Sequence, residues 1–234
     1  MKRIFQVVLR TLDVDAATDF YRSVLGDAPT RVVRLHEQAV QRGARPHWLG
    51  FIDVGDVDGA AAAFVARGGV SLAPKWIDDE GLEAAVMRDP GGAIIALARP
   101  PAVRAPDRAH RVPEVALHTL NTPDVSRAMA TYGALFGWDF GAPLDLGSVG
   151  VFHPFAFEAG APRAGVFGDT AGRPGVHPHW TFHFRVSSLD EAVARVTSGG
   201  GVTLAPIELP SGDRIAVCDD PQGAAFALLE APSR

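Results

Sequence analysis

Eight histidines in a chain of 234 residues are the side chains best able to do chemistry, because imidazole ligates metals and titrates near neutral pH. His177 and His179 form an H-x-H pair ahead of a β-rich run. His118 and His183 lie inside two such runs, the latter flanked by Thr181 and Arg185. Two histidines and a carboxylate would suit a divalent metal of the facial-triad kind. His183 beside Arg185 would equally suit an anionic or carbonyl-bearing small molecule with no metal at all. Other chemistries lack their residues: there is no G-x-S-x-G elbow, no G-x-x-x-x-G-K-[ST] loop and no G-x-G-x-x-G turn. The lone cysteine, Cys218, lies in the apolar run RIAVC with no cation placed to activate it. It reads as an inert buried thiol, and a single cysteine excludes an internal disulfide.

The elements that position these groups follow from composition and repetition. A hydrophobic content of 47% and a charged content of 21% predict a globular core. The formal charge of −5 comes without any basic block, so no nucleic-acid or anionic-membrane partner is expected. Arg10 and Asp13 interrupt the N-terminal apolar run, which argues against a signal peptide, and no apolar stretch approaches the ~20 residues of a membrane span. A cytoplasmic location is the expectation.

The chain repeats itself. PHWLGFIDVGDVDGA from Pro46 returns as PHWTFHFRVSSLDEA from Pro178, and GGVSLAP from Gly68 returns as GGVTLAP from Gly200, both 132 positions on. DPGGAIIAL from Asp89 returns as DPQGAAFAL from Asp220, 131 positions on. DVDAATDFYRSVLG from Asp13 matches DVSRAMATYGALFG from Asp124, only 111 positions on. The first half therefore lacks about 21 residues between its two matched blocks. These offsets predict two domains, residues 1–99 and 114–234, joined by a Pro- and Arg-rich linker at 100–113. Each half reads as two strand, helix, strands modules, with Asp13 and Asp56 as helix caps and Ser188 with Glu191 as a capping box.

A strand followed by D-x-x-x-A-x-x-[FT]Y-x-x-x-x-G, a PHW opening and a DP-x-GA-x-[IF]AL closing, all duplicated, resemble tandem proteins of the vicinal oxygen chelate superfamily. That superfamily comprises glyoxalases, bleomycin-resistance proteins and extradiol dioxygenases. The resemblance covers nearly the whole chain. It implies an α+β fold of tandem βαβββ modules, paired into two domains, with strands curled into half-open cups around a ligand. It also implies metal ligands at set positions, which fall here on Gln6, Leu49, Leu117 and Thr181 at the module starts and on Ala96 and Ala227 at the ends. Only Gln6 could ligate a metal, whereas a catalytic site needs about three protein ligands.

Strand alternation puts Phe182, Phe184 and Val186 under the helices and Thr181, His183 and Arg185 in the cup. The same rule turns Leu117, Thr119 and Asn121 inward, and also Gln6, Val8 and Arg10. The longer second half has residues for a complete cup wall, which Trp138, Phe152, His153, Phe155 and Phe157 would line. The ligand-binding candidates are Thr119, Trp138, His153, Phe155, Thr181, His183 and Arg185. The expected function is metal-independent small-molecule binding or sequestration in the second domain, with no cofactor, as monomer or homodimer. The alternatives are a divalent-metal lyase, isomerase or dioxygenase with a rearranged ligand set such as His118, His183 and His153, and a regulatory protein-interaction role. His36, Glu37 and Glu230 are expected at the surface.

Overall fold

Each long helix begins at a short polar residue just after a strand, where a side-chain oxygen can hold the first free amide. In the computed structural model, which describes residues 2–26, 31–101, 115–173 and 175–232, Asp13, Asp56, Asp124 and Ser188 all cap in this way, at 2.9–3.3 Å. Gly26 and Gly137 end two helices at φ +77° and +73°, which a side chain would strain.

The first half runs β1 (Ile4–Thr11), α1 (Val14–Leu25), β2 (Val32–Arg34), α2 (Glu37–Gln41), β3 (His47–Asp53), α3 (Val57–Val65), β4 (Val70–Ser71), β5 (Trp76–Ile77), β6 (Glu83–Arg88) and β7 (Ile94–Arg99). The second runs β8 (Val115–Thr122), α4 (Val125–Phe136), β9 (Asp139–Phe140), β10 (Leu144–Asp145), a 3-10 turn, β11 (Val151–Ala156), β12 (Gly165–Asp169), β13 (His179–Arg185), α5 (Leu189–Ser198), β14 (Val202–Thr203), β15 (Ile207–Glu208), β16 (Arg214–Asp219) and β17 (Ala225–Glu230). The strands of the first half belong to a seven-stranded sheet and those of the second to a ten-stranded sheet. This is the α+β fold of tandem modules. The expected linker lies almost wholly outside the described residues.

The missing residues have a definite place. β2 runs parallel to β1, as β12 does to β8, so β2 is the counterpart of β12. The first half has no described strand equivalent to β11: only residues 26–31 separate α1 from β2, whereas β9, β10 and β11 all lie between α4 and β12, and the short α2 comes after β2. His36 caps α2 through its Nδ1, which accepts from the Gln38 amide at 3.2 Å, and both His36 and Glu37 are exposed.

By mutual contact the chain divides into two compact units, each joining one module from each half. The first comprises Met1–Val7, Leu49–Pro106 and His118–Trp180. In it β3, β7 and β6 pair in register through Phe51, Ala96 and Val86. Separately, β8 pairs with β12 and β12 with β11. Its core gathers Phe64, Tyr132, Phe136, Trp138, Phe155, Phe167 and Trp180 around α3 and α4. The second comprises Val8–Trp48, Asp107–Leu117 and Thr181–Arg234. There β13 pairs with β17 and β17 with β16, and Phe20, Tyr21, Trp48, Phe184 and Phe226 form the core under α1 and α5. Among the described residues no helix is long and apolar enough to cross a membrane.

Candidate functional site

Beneath the helices each unit carries the same polar chain. In the second, the Trp48 indole donates to the Tyr21 hydroxyl at 3.0 Å, and Tyr21 donates to Asp220 at 3.1 Å. In the first, Trp180 donates to Tyr132 at 3.3 Å and Tyr132 to Asp89 at 3.1 Å. Each aspartate is the D of a DP-x-G turn and also accepts the turn's own amides. Burial pushes both carboxyls above the usual range, against the pull of those hydrogen bonds. Burial, with the neighbouring carboxyl, raises both phenols well above 10, so each tyrosine stays a donor. Buried polar groups are tolerated only when partnered in this way. This network escapes motif reading. Its signal is the repeat itself, since Tyr, Trp and Asp recur at the three offsets.

The opposite sheet face is where a ligand could sit. In β8, β12 and β11 the register pairs Leu120 with Phe167 and Phe167 with His153. Phe155, Phe167 and Trp138 pack with Tyr132 of α4. That face is therefore core, and alternation leaves Thr119, Asn121, Phe152, Pro154, Val166 and Gly168 on the other. A Cβ at Gly168 would lie 3.0 Å from the Phe152 ring and 3.5 Å from Asn121 Oδ1, which confirms that the three converge. Asn121 Nδ2 donates to His179 Nε2 at 3.3 Å, while His179 Nδ1 bonds the His177 carbonyl at 2.8 Å. A carbonyl can only accept, so Nδ1 carries the proton and Nε2 the lone pair. The Arg173 guanidinium stands 6.0 Å from the Phe152 centroid. Both nitrogens of His179 are engaged, an arrangement that positions a loop rather than an open metal ligand.

The candidates divide between the units. Thr119, Trp138, His153 and Phe155 are in the first unit, and Thr181, His183 and Arg185 in the second. Trp138 and Phe155, expected along the cup, instead stack on each other at 4.7 Å and 8° in the core, and their burial leaves 4% and 1% exposed. His153 shares their face and is half-buried. In the second unit Phe184 packs on Trp48 and Phe226, so Thr181, His183 and Arg185 occupy the other face, as alternation predicts. His183 stands directly beside Ala227 in the parallel register.

His118 lies on the helix side of β8, its Nδ1 against the Ala164 carbonyl at 2.8 Å and its ring edge against Phe157. Burial lowers its pKa to about 4, which keeps it neutral at pH 7. Glu230, half-buried, holds the α5 amide of Leu189 at 3.0 Å and Arg214 at 3.1 Å. Burial pushes the Cys218 thiol up to about 11, as an inert thiol requires.

The positions at which the fold family holds a metal carry Gln6, Leu49, Leu117, Thr181, Ala96 and Ala227. Phe51 beside Ala96 and His183 beside Ala227 show methyl groups where an acid would be needed. Among the described residues no three His, Cys, Asp or Glu side chains converge to hold an ion. The donor set does not fit that metal centre.

Comparison with known proteins agrees with the fold. Residues 118–229 match the glyoxalase-like domain family. A glyoxylase-named protein of Mycobacterium bovis, CFP32, is 27% identical over 246 residues, spanning 96% of this chain and 93% of that one. The anthracycline biosynthesis protein DauV of Streptomyces sp. (strain C5) is 32% identical over 195 residues, 81% of this chain and 68% of that one. The chain belongs to the vicinal oxygen chelate superfamily. The Mn(II)-bound glyoxalase of Novosphingobium aromaticivorans shares the fold at a TM-score of 0.62 and 15% identity, over 100% of this chain and 84% of that one. This chain keeps the fold, and of the six positions above only Gln6 offers a group that could ligate a metal.

Proposed function

We propose that this vicinal oxygen chelate protein binds a planar aromatic small molecule without a catalytic metal, on the open face of β8, β11 and β12. The carrying observation is the face itself: Phe152 over Gly168, with Asn121 and Thr119 beside it and Arg173 near the ring. Apolar surface with a few polar anchors is the usual make-up of a small-molecule site. The likeness to DauV makes an anthracycline the first probe to try. Thr181, His183 and Arg185 remain binding candidates on the corresponding face of the second unit.

The test joins metal analysis to titration. Protein purified without chelator should contain no stoichiometric metal, and an anthracycline should raise its melting temperature through mass action. Phe152→Ala should weaken that binding about tenfold, the loss of ~1.4 kcal/mol expected for one aromatic contact. Stoichiometric metal that disappears in His118→Ala and His183→Ala proteins would sink this reading in favour of metal-dependent chemistry.

A further inference from the structure

At the far end of β12 a buried hydroxyl stands without a partner. Thr170 follows Asp169, the last residue of that strand, and its amide donates to the Thr122 carbonyl at 3.0 Å, which carries the pairing of β12 with β8 one residue further. Alternation therefore puts Thr170 on the face of Val166 and Gly168. Thr170 is 5% exposed, and its Oγ1 has no hydrogen-bond partner among the described residues. The repeat shows that the fold does not require this hydroxyl. Leu35 holds the matching place in the first half, where its amide donates to the Thr11 carbonyl at 2.7 Å, and it is equally buried. An apolar side chain satisfies the packing there, whereas a buried hydroxyl left unpaired costs free energy that an acceptor on a ligand would return.

The same turn brings a cation to that face. The Arg173 amide donates to the Thr170 carbonyl at 3.0 Å, which folds the chain back after β12. The Arg173 guanidinium then lies over the Phe152 ring, 6.0 Å from its centroid, and against Gly150, where a Cβ would collide with Nη2. Gly150 has a φ of +112°, so a side chain is disfavoured there by backbone as well as by space, and the guanidinium keeps its seat at the start of β11. Arg173 is half-buried, and no ion pair among the described residues involves it. Phe152 in turn lies on Gly168, two residues before Thr170.

We infer that the ligand of this face is an aromatic carboxylic acid, whose ring stacks on Phe152 and whose carboxylate accepts from the Thr170 hydroxyl and the Arg173 fork. This rests on the aromatic-face reading above and names the class of its ligand. A guanidinium offers paired N–H donors that match the two carboxylate oxygens, and charge-assisted hydrogen bonds are the strong ones. A neutral aromatic of the same shape would forgo the charged contact.

The experiment is a calorimetric titration of the full chain with anthraquinone-2-carboxylate and with 2-(hydroxymethyl)anthraquinone, alike in ring system and different in charge. The acid should bind at least about tenfold more tightly than the alcohol. Thr170→Val, a swap of near-equal size, and Arg173→Gln should each weaken the acid about tenfold and leave the alcohol unchanged. Arg173→Lys should recover only part of the loss, because the fork is gone. Thr170→Val should also melt no lower than the parent, since it removes an unpaired hydroxyl. Equal affinity for acid and alcohol would overturn the carboxylate assignment and leave the aromatic face standing. So would a Thr170→Val protein that binds the acid like the parent, or one with a clearly lower melting temperature. Binding of neither compound would remove the aromatic face, and this subsite with it.

Discussion

Arg10 and Asn121 stand 111 positions apart at matching places in two copies of one module, and His47 and His179 match at an offset of 132. Both histidines bond a carbonyl two residues back through Nδ1, but Arg10 is a guanidinium where Asn121 is an amide hydrogen-bonded to His179. On the helix side the hydrogen-bonded triad is unchanged: Tyr21, Trp48 and Asp220 repeat Tyr132, Trp180 and Asp89. The contrast teaches where a duplicated fold is free to change. A buried donor and acceptor must be altered together, because either one left alone costs about 1–3 kcal/mol. A cup-face residue meets a ligand or water, and can change singly. Identity within the triad therefore marks the scaffold, where partners must change together.

The largest test strikes the shared network. Asp89→Ala strands the Tyr132 hydroxyl and the Ala93 amide, and Asp220→Ala strands Tyr21 and the amides of Gln222 and Ala224. With two or more buried groups unpartnered, each substitution should cost about 4 kcal/mol in urea unfolding. If one copy loses that much and the other less than about 1 kcal/mol, the networks are not equivalent and the contrast drawn above fails.

A second test uses a difference inside the core. His118 occupies the place that Val7 holds in the first half, 111 positions earlier. In the unfolded chain a histidine takes up its proton near pH 6.5, whereas burial delays this to about 4 in the folded protein. Between those values the unfolded state binds more protons, so stability present above pH 6.5 is lost as pH falls towards 4. At ~1.4 kcal/mol per pH unit the loss is about 3 kcal/mol. His118→Val copies the first half and should remove that part of the acid sensitivity, at a cost of about 1 kcal/mol at pH 7 for the lost Ala164 hydrogen bond. Unchanged steepness between pH 6.5 and 4 would show that His118 is not the group responsible.

Much of this architecture is legible in the sequence because its signals are local. Asp13, Asp56 and Ser188 announce their helices as caps, and strict alternation sorts Phe182 and Phe184 from Thr181, His183 and Arg185. What alternation within one strand cannot supply is which face of each neighbour is matched to it. That depends on register, and in β11 register places Phe155 over Gly165 and His118 on the core side, with Phe152 facing outward. Trp138 precedes β9 and carries no periodic signal at all. Its position comes from the indole, which donates to the Lys2 carbonyl at 2.7 Å, and from its stacking on Phe155. The shared face of Arg10 and Arg31 is harder still to see, since the two come from separate segments and only the pairing of β1 with β2 brings them together.

The finest test writes one copy onto the other. Asn121→Arg places a guanidinium where Arg10 stands in the first half, next to Val166 and Gly168 rather than Arg31 and Val33. Half-buried and facing outward, the new side chain should change stability by no more than about 0.5 kcal/mol, since surface substitutions of this sort rarely do more. Its effect belongs in binding. The change breaks the Asn121 hydrogen bond to His179 and sets a positive charge beside Phe152. Affinity for an anthracycline should then fall about tenfold, the effect expected when one polar anchor of the face is lost. An unchanged affinity in calorimetric titration would show that Asn121 takes no part in binding, and that the Phe152 face is shaped by its apolar residues alone.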